Sequence, residues 1–127
     1  MSTIKANTLL HSDGSTTNPP SIPALNNRMV TAWVNFNGIG TAAIRDSENV
    51  SSVNDIITGN YIINFTSTMS NTDYCTVGTA SRNLPSELMN LSPYAYTTTS
   101  VKVVTQYQNN TNINCLINNV AILGGQS

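Results

Sequence analysis

The side chains that could carry chemistry in this sequence are few and far apart. The chain has one histidine, His11, and two cysteines, Cys75 and Cys115. A Ser-His-Asp mechanism requires a histidine that buried partners hold in place, and the segment around His11 offers none. These three residues also lack the close spacing of a zinc-ligand set. The sequence therefore predicts neither nucleophilic catalysis nor a zinc site.

The acidic residues fall near predicted turns and do not form a recognisable catalytic pair. Asp46 and Glu48 flank Ser47 and could bind Ca²⁺ with backbone oxygens, but a solvated turn is the simpler interpretation. Glycoside hydrolysis needs a pair of carboxylates, which here would have to come from turn positions, so we do not expect this activity. Gly38-Ile39-Gly40 lacks the lysine and the helix of a phosphate-binding loop. We expect no catalytic residue, no metal and no cofactor, and we predict that the protein is not an enzyme.

Charge is sparse, with five basic residues, six acidic residues and a net charge of -1. Because phosphate binding needs clustered Lys and Arg, we expect no nucleic-acid partner. No stretch is apolar for long enough to cross a bilayer. The start, Met1 to Lys5, lacks the apolar run of a signal peptide, which predicts synthesis in a cytoplasm. Cys75 and Cys115 lie in apolar strand patterns, so buried free thiols are favoured over a disulfide.

Asn, Thr and Ser replace the missing charge and make up about two residues in five, well above average usage. Thr favours strands, Asn and Ser favour turns, and helix-forming residues do not cluster. Composition therefore predicts an all-β protein. Short strands at regular spacing predict a sandwich or a barrel, of which we favour an antiparallel β-sandwich.

Alternation of apolar and polar residues marks the strands. Val30, Ala32, Val34 and Phe36 share one face of the first predicted strand, and Trp33 lies on the other face. The other predicted strands are 41–45, 49–54, 61–65, 74–80, 100–107 and 113–123. They are separated by a break at 46–48, turns at 55–59 and 70–73 and a polar loop at 108–112. An irregular connection is predicted at 82–93, in which 86–89 could form one helical turn. Residues 49–54 and 61–65 form the clearest hairpin.

Residues 1–28 differ from residues 29–127. Pro19, Pro20 and Pro23 remove backbone donors and favour extended conformations. The first segment is therefore a poor helix and a poor central strand. We predict an extended N-terminal arm at 1–28, which serves for attachment, and a β-sandwich domain at 29–127.

The stretch from Ala32 to Tyr74 resembles a module of tail-fibre and other virion structural proteins of phages, notably cyanophages. The similarity covers about a third of the chain and rests, in order and spacing, on Ala32-Trp33-Val34-Asn35-Phe36-Asn37-Gly38, Ile44-Arg45, Asn49-Val50-Ser51-Ser52-Val53, Thr58-Gly59-Asn60-Tyr61-Ile62-Ile63-Asn64-Phe65, Met69 and Tyr74. The opening Ser2-Thr3-Ile4-Lys5-Ala6-Asn7, followed by Asp13-Gly14, is similar to the start of many phage fibre proteins.

The resemblance implies a non-catalytic β module, usually trimeric, that is made in the host cytoplasm and displayed on the virion. We therefore expect a homotrimeric short tail-fibre protein that acts in assembly and in host attachment, with a tail or baseplate adaptor as its virion partner. The alternative is a capsid decoration or head-fibre protein bound to the capsid. A free carbohydrate-binding module is a third option, which the lack of a signal peptide disfavours.

Four apolar residues are candidates for the subunit interface, namely Ile4, Leu9 and Ile22 of the arm and Trp33. The arm cannot build its own core, so its apolar side chains need a partner. Trp33 covers the second face of a sheet or packs against a sister chain, where large amphipathic rings are favoured. A role in the core of its own chain stays open.

Arg82, Tyr94 and Tyr96 are candidates for contact with a host receptor such as a surface glycan. Tyrosine rings can stack on sugars and neighbouring threonines can hydrogen-bond to them, although a solvent-exposed strand edge is the alternative. Loops carry function because the scaffold fixes their ends. The receptor loops expected at the end away from the arm are 71–73, 82–96 and 108–112.

Overall fold

The computed structural model describes residues 3, 5–8, 10, 13–14 and 28–126, and within them it contains eight β-strands and no helix. The strands are β1 Val30–Asn37, β2 Ala43–Glu48, β3 Val50–Ile57, β4 Asn60–Phe65, β5 Cys75–Ser81, β6 Met89–Tyr94, β7 Ser100–Tyr107 and β8 Ile117–Leu123. The all-β class predicted from composition is confirmed for this part of the chain. None of the described residues belongs to a helix that could span a membrane.

The strands form two antiparallel four-stranded sheets that share one core. Sheet A has the order β2-β1-β8-β5, and sheet B has the order β3-β4-β7-β6. Phe36 of sheet A packs edge-to-face on Tyr61 of sheet B, with ring centroids 5.0 Å apart. Two facing sheets around one apolar layer are consistent with the predicted β-sandwich.

Period-two alternation directs one side of each central strand into the core. β1 buries Ala32, Val34 and Phe36, as predicted, whereas Val30 remains 50% exposed because the register shifts between Val30 and Ala32. The other buried apolar residues are Val50, Tyr61, Ile63, Phe65, Met69, Tyr74, Leu91, Val101, Val103, Val120 and Ile122. Full burial of one such large side chain contributes about 1.5–3 kcal/mol, so the central strands supply most of the stability.

The predicted hairpin of 49–54 with 61–65 is confirmed as the antiparallel pair β3–β4. Its turn is shorter than expected, because β3 continues to Ile57 and only Thr58 and Gly59 connect the strands. Gly59 has a φ of +73°, and a Cβ there would lie 2.7 Å from the carbonyl oxygen of Thr105. Only glycine fits this position, so the turn can pack directly on β7.

The predicted break at 46–48 is wrong, since these residues complete β2. β2 is an edge strand, so its charged side chains can stay in solvent while the backbone pairs with β1. The strand ends at Glu48, and Asn49, which separates β2 from β3, has a φ of +55°. Its side chain accepts from Ser67 N at 2.7 Å and donates to the Thr31 carbonyl at 3.1 Å. Asn tolerates this left-handed conformation better than most residues.

The irregular connection predicted at 82–93 contains a strand that the sequence pattern concealed. β6 covers Met89–Tyr94 and pairs only with β7, while the helical turn expected at 86–89 does not form. Pro93 belongs to β6, which is possible because an edge strand tolerates a missing backbone donor. The last strand is also shorter than predicted, since β8 begins at Ile117 and not at residue 113.

The cysteines differ from the prediction in one respect. Both thiols are free, and Cys115 is buried as expected, but Cys75 is exposed. Cys75 starts β5 and pairs with Leu123, which places it on the outer face of sheet A and away from the core. The arm residues Ile4, Leu9 and Ile22 and most of the segment 1–28 lie outside the described residues, so that boundary stays a prediction.

The loops predicted to lie together are divided between the two ends of the fold. We call the end at which β1 begins the near end, and the opposite end the far end. The connection 82–88 and the loop 108–112 lie at the far end, away from the start of β1, as expected. The turn 71–73 lies at the near end, because β5 begins there. The stretch 82–96 passes from one end to the other, because β6 runs through it.

Candidate functional site

An apolar row crosses three strands on the outer face of sheet A. Trp33 of β1 lies directly opposite Ala121 of β8, and Ala121 lies directly opposite Val77 of β5. Trp33 is 37% exposed and Val77 is 51% exposed. The small alanine between two large side chains makes the middle of the row lower than its sides.

A polar row runs beside the apolar row, two residues further along β1, β8 and β5. Asn35, Asn119 and Thr79 occupy matched register positions. The Asn35 side-chain amide donates to Asn119 Oδ1, and the Asn119 amide donates to Thr79 Oγ1 at 3.2 Å. Side-chain amides on adjacent strands therefore form a continuous ladder across the sheet.

Arg45 of β2 sets the direction of this ladder. Its Nη1 donates to Asn35 Oδ1 at 3.1 Å, and its Nη2 donates to the Leu116 carbonyl at 2.7 Å. A guanidinium can only donate, so the Asn35 oxygen must face Arg45 and the Asn35 nitrogen must face Asn119. The same constraint passes to Asn119 and Thr79, and both amide orientations are thereby fixed.

The two rows line a shallow open groove of about 520 Å³. We call it the Trp33 groove, and its side chains are Trp33, Asn35, Val77, Thr79, Asn119 and Ala121. Its floor includes backbone of Gly78, whose missing side chain leaves room on the core side for Leu91 of sheet B. The groove brings an indole ring, aliphatic surface and oriented amides together on one open face of sheet A.

Acidic residues border the groove on its β2 side. Glu48 lies opposite Trp33, and Asp46 lies opposite Asn35, and both are exposed. The guanidinium of Arg45 is already engaged by Asn35 and Leu116. This side of the groove therefore presents two carboxylates against one occupied cation and does not favour an anionic ligand.

Arg82, the first receptor candidate, lies at the far end in a small cluster. Its guanidinium forms an ion pair with Glu87 at 3.3 Å, donates to the Tyr107 hydroxyl and lies 5.8 Å from the centroid of the Tyr107 ring. These contacts join the β5–β6 connection to the end of β7. Arg82 therefore has a structural role in fixing this loop.

Tyr94 and Tyr96 lie apart from Arg82 and from each other. The Tyr94 hydroxyl donates to Asn60 Oδ1 at 2.7 Å, so this side chain crosses β7 on the outer face of sheet B. The Tyr96 ring contacts the Tyr74 ring at the near end, with centroids 5.0 Å apart. The structure does not bring the three predicted receptor residues together, and receptor contact by any one of them stays a prediction.

Trp33 lies on the outer face of its sheet, as the alternation predicted, and is available to a ligand or to a partner chain. Its proposed partners in the groove, Asn119 and Thr79, were not among the sequence candidates. Asn35 could have been found, because it shares a strand face with Trp33. Asn119 and Thr79 could not, since pairing of β1 with β8 and of β8 with β5 is not visible in any local pattern.

A second polar cluster lies inside the far end. The Tyr61 hydroxyl is 2.9 Å from the Gly38 carbonyl oxygen and 2.9 Å from Asn114 Oδ1. Burial, reinforced by the carboxylate of Asp55, raises the pKa of Tyr61. Burial also raises the pKa of the Cys115 thiol, which keeps this cysteine protonated and poorly nucleophilic. The cluster therefore serves to hold the far-end loops.

The comparisons with known proteins gave no relative. No protein-family model, no curated protein and no solved structure matches the chain. Among the described residues, no three His, Cys, Asp or Glu side chains come together as they would around a metal ion. The Trp33 groove is thus the candidate site on the strength of its own geometry.

Proposed function

We propose that the chain is a non-catalytic structural protein of a phage virion, a short tail-fibre protein that assembles as a homotrimer and takes part in host attachment. The observation that carries this proposal is a group of apolar side chains on the outer face of sheet B. The resemblance of Ala32 to Tyr74 to phage fibre modules supplies the choice of a virion and of three copies. That segment contains most of β1 and all of β2, β3 and β4, and it contributes one hairpin to each sheet.

The outer face of sheet B is suited to contact with further copies of the chain. Ile62 and Val104 project from the two central strands, and Ile57 of the edge strand is 64% exposed. Tyr94 crosses this face and is 39% exposed. Ile62 and Val104 lie on neighbouring strands and are half-buried, and their paired residues across β4 and β7 are Lys102 and Asn60. A partner chain packed on this face would therefore cover apolar and polar side chains together. Repetition of the same contact around a rotation axis would cover it in every subunit.

The oligomeric state is tested by size-exclusion chromatography with light scattering. The wild-type chain is expected to elute as a trimer at micromolar concentration. Ile62→Lys combined with Val104→Lys places two charges beside Lys102, which pairs with Ile62, and should give a folded monomer. Val77→Lys, on the outer face of sheet A, is the matched control and should leave the trimer intact. A monomeric wild-type chain would refute this assembly.

The location on the particle is tested by negative-stain imaging of virions labelled with an antibody to the chain. Label on the tail supports the tail-fibre proposal. Label on the head would instead favour the alternative, a capsid decoration or head-fibre protein. Absence of the chain from purified particles would refute both.

A further inference from the structure

We propose that the Trp33 groove binds a neutral oligosaccharide. This inference names the partner class for the attachment role proposed above, and it rests on that role only for the biological source of the glycan. Binding itself is a property of the isolated chain. It can therefore fail or succeed independently of whether the chain lies on a tail.

The apolar row provides a platform for a sugar ring. The face of a pyranose carries C–H groups, which pack on indole and aliphatic surface, and Trp33 and Val77 provide both. Ala121 lies between them in register, and its small side chain leaves space for a ring to lie low in the groove. Aromatic rings stabilise such contacts because they bury much area with few rotatable bonds.

The polar row lies at the distance at which ring hydroxyls would reach it. Two residues along a strand correspond to about 7 Å, so hydroxyls at the edge of a ring held on the apolar row would approach Asn35, Asn119 and Thr79. Each primary amide offers two donors and two acceptor sites. The ladder uses one donor and one acceptor site of each amide. The remaining sites, and the hydroxyl hydrogen of Thr79, can serve a ligand.

The ladder also lowers the cost of binding. Because Arg45 fixes both amides through hydrogen bonds, these side chains lose little conformational freedom when a ligand arrives. Preorganised polar groups convert more of their hydrogen-bond energy into affinity than mobile ones do. The row crosses four strands from Arg45 to Thr79, so it can contact more than one sugar unit.

The charge around the groove selects a neutral glycan over an acidic one. Asp46 and Glu48 border it on the β2 side, where the guanidinium of Arg45 is held by two hydrogen bonds within the protein. A sialic acid or a phosphorylated sugar would meet two carboxylates without a free positive charge. Uncharged hexoses and N-acetylhexosamines carry no such penalty.

The shape of the groove argues against a second copy of the same face as its occupant. Two identical concave surfaces placed against each other leave an unfilled space, whereas stable interfaces pack as densely as protein interiors. Interface centres are also poor in charged residues, whereas here Arg45, Asp46 and Glu48 lie beside an apolar row of three side chains, Trp33, Ala121 and Val77.

The sequence provides a direct probe, because Trp33 is the only tryptophan of the chain. The full-length protein is titrated with cellotriose, maltotriose, mannotriose and N-acetylated chitotriose while tryptophan fluorescence is recorded, up to about 20 mM to include weak binding. At least one of these neutral trisaccharides should change the Trp33 emission saturably. Sialyllactose should bind at least about tenfold more weakly than the best of them.

Variants separate a sugar site from a structural surface. Thr79→Val keeps shape and β-branching but removes the hydroxyl, and it should weaken binding about 3- to 10-fold, as expected for one net hydrogen bond. Thr79→Ser keeps the hydroxyl and should bind within about twofold of wild type. Trp33→Ala, measured by calorimetry, should abolish detectable binding. Thr68→Val, at an exposed threonine outside both sheets, is the matched control and should change nothing.

Three results would overturn the inference. The first is that none of the four neutral trisaccharides alters Trp33 emission. The second is that Thr79→Val and Trp33→Ala bind as wild type does, which would place the sugar elsewhere. The third is that Trp33→Ala converts the trimer into monomers, which would make the groove a subunit contact. A chain that binds sugar but is absent from virions would support the inference and refute the proposed function.

Discussion

The hydroxyl oxygen of Tyr61 lies 2.9 Å from the carbonyl oxygen of Gly38, and a Cβ at position 38 would lie 2.8 Å from Tyr61 Cζ. Residue 38 must therefore lack a side chain, and the reason is steric. We expect Gly38→Ala to lower the free energy of unfolding by about 2–3 kcal/mol, as overpacking of a core typically does. Urea denaturation followed by circular dichroism measures it.

A double mutant tests whether Tyr61 is the cause. Tyr61→Phe removes the hydroxyl and costs about 1 kcal/mol by itself, but it should make Gly38→Ala less damaging, so that the combined loss is smaller than the sum. Gly40→Ala is the control. Its φ of +69° makes alanine strained, while nothing lies within 4 Å of a Cβ there, so its effect should simply add to that of Tyr61→Phe.

The buried hydroxyl of Tyr74 should make the free energy of unfolding fall at alkaline pH. Its hydroxyl lies 2.9 Å from the Thr97 carbonyl and 3.0 Å from the Ser100 carbonyl. Burial, with a further contribution from Tyr96, raises its pKa to about 12. The folded state keeps this proton longer than the unfolded chain, in which a tyrosine titrates near 10. The corresponding stability is complete below about pH 10 and is lost as the pH rises towards 12.

The measurement is the urea midpoint at several pH values between about 8 and 11. The urea midpoint of Tyr74→Phe should fall less steeply over this range. This variant should be less stable than wild type at neutral pH, because it lacks the hydroxyl hydrogen that the Thr97 and Ser100 carbonyls share. Tyr61 acts in the same direction, since its pKa is also raised. An equally steep decline in wild type and Tyr74→Phe would contradict the assignment.

The two thiols should react very differently. Cys75 is exposed and Cys115 is buried, so a thiol reagent is expected to modify one cysteine in the native protein and both in denaturant. Cys75→Ser should abolish the native reaction, whereas Cys115→Ala should leave it unchanged. Because neither cysteine is paired, a reducing agent should not shift the melting temperature. A shift of more than a few degrees would reveal a cross-link.

We expect substitution of Arg82 to lower the free energy of unfolding, whether or not this residue contacts a receptor. Arg82→Met removes the ion pair with Glu87 and the contacts with Tyr107, and we expect a loss of about 1 kcal/mol. Lys5→Met, which removes one exposed positive charge, is the matched control and should have no effect. Host-adsorption assays on Arg82 variants can be interpreted only after this stability loss has been measured. An unchanged urea midpoint in Arg82→Met would refute the structural role.

Local alternation predicted those strands that bury one complete face. β1, β4 and β7 have three buried residues at every second position, so their pattern is visible in the sequence. β6 has a single buried residue, Leu91, together with Pro93, and no pattern marks it. The predicted second strand ends three residues before β2 does. Asp46 and Glu48 are typical turn residues, but an edge strand can expose them to solvent.

The candidate site was predictable only in part, because it is built by pairing between distant strands. The outward position of Trp33 follows from period-two alternation within β1. The ladder through Asn35, Asn119 and Thr79 depends on which strands become neighbours and in which register. Neither is encoded in any short segment, and a shift of one residue would turn the ladder to the other face.

The position of β8 between β1 and β5 imposes an order on folding. Hydrogen bonds such as that from Asn118 to Phe36 join residues 82 positions apart, and long-range pairings of this kind form slowly. The β3–β4 and β6–β7 hairpins are local, so sheet B can begin to form while β1 and β5 still have open edges. Until β8 inserts, those edges can pair with other chains. A newly made chain is therefore most prone to aggregate just before sheet A closes, and β8 is the strand that ends this vulnerable interval.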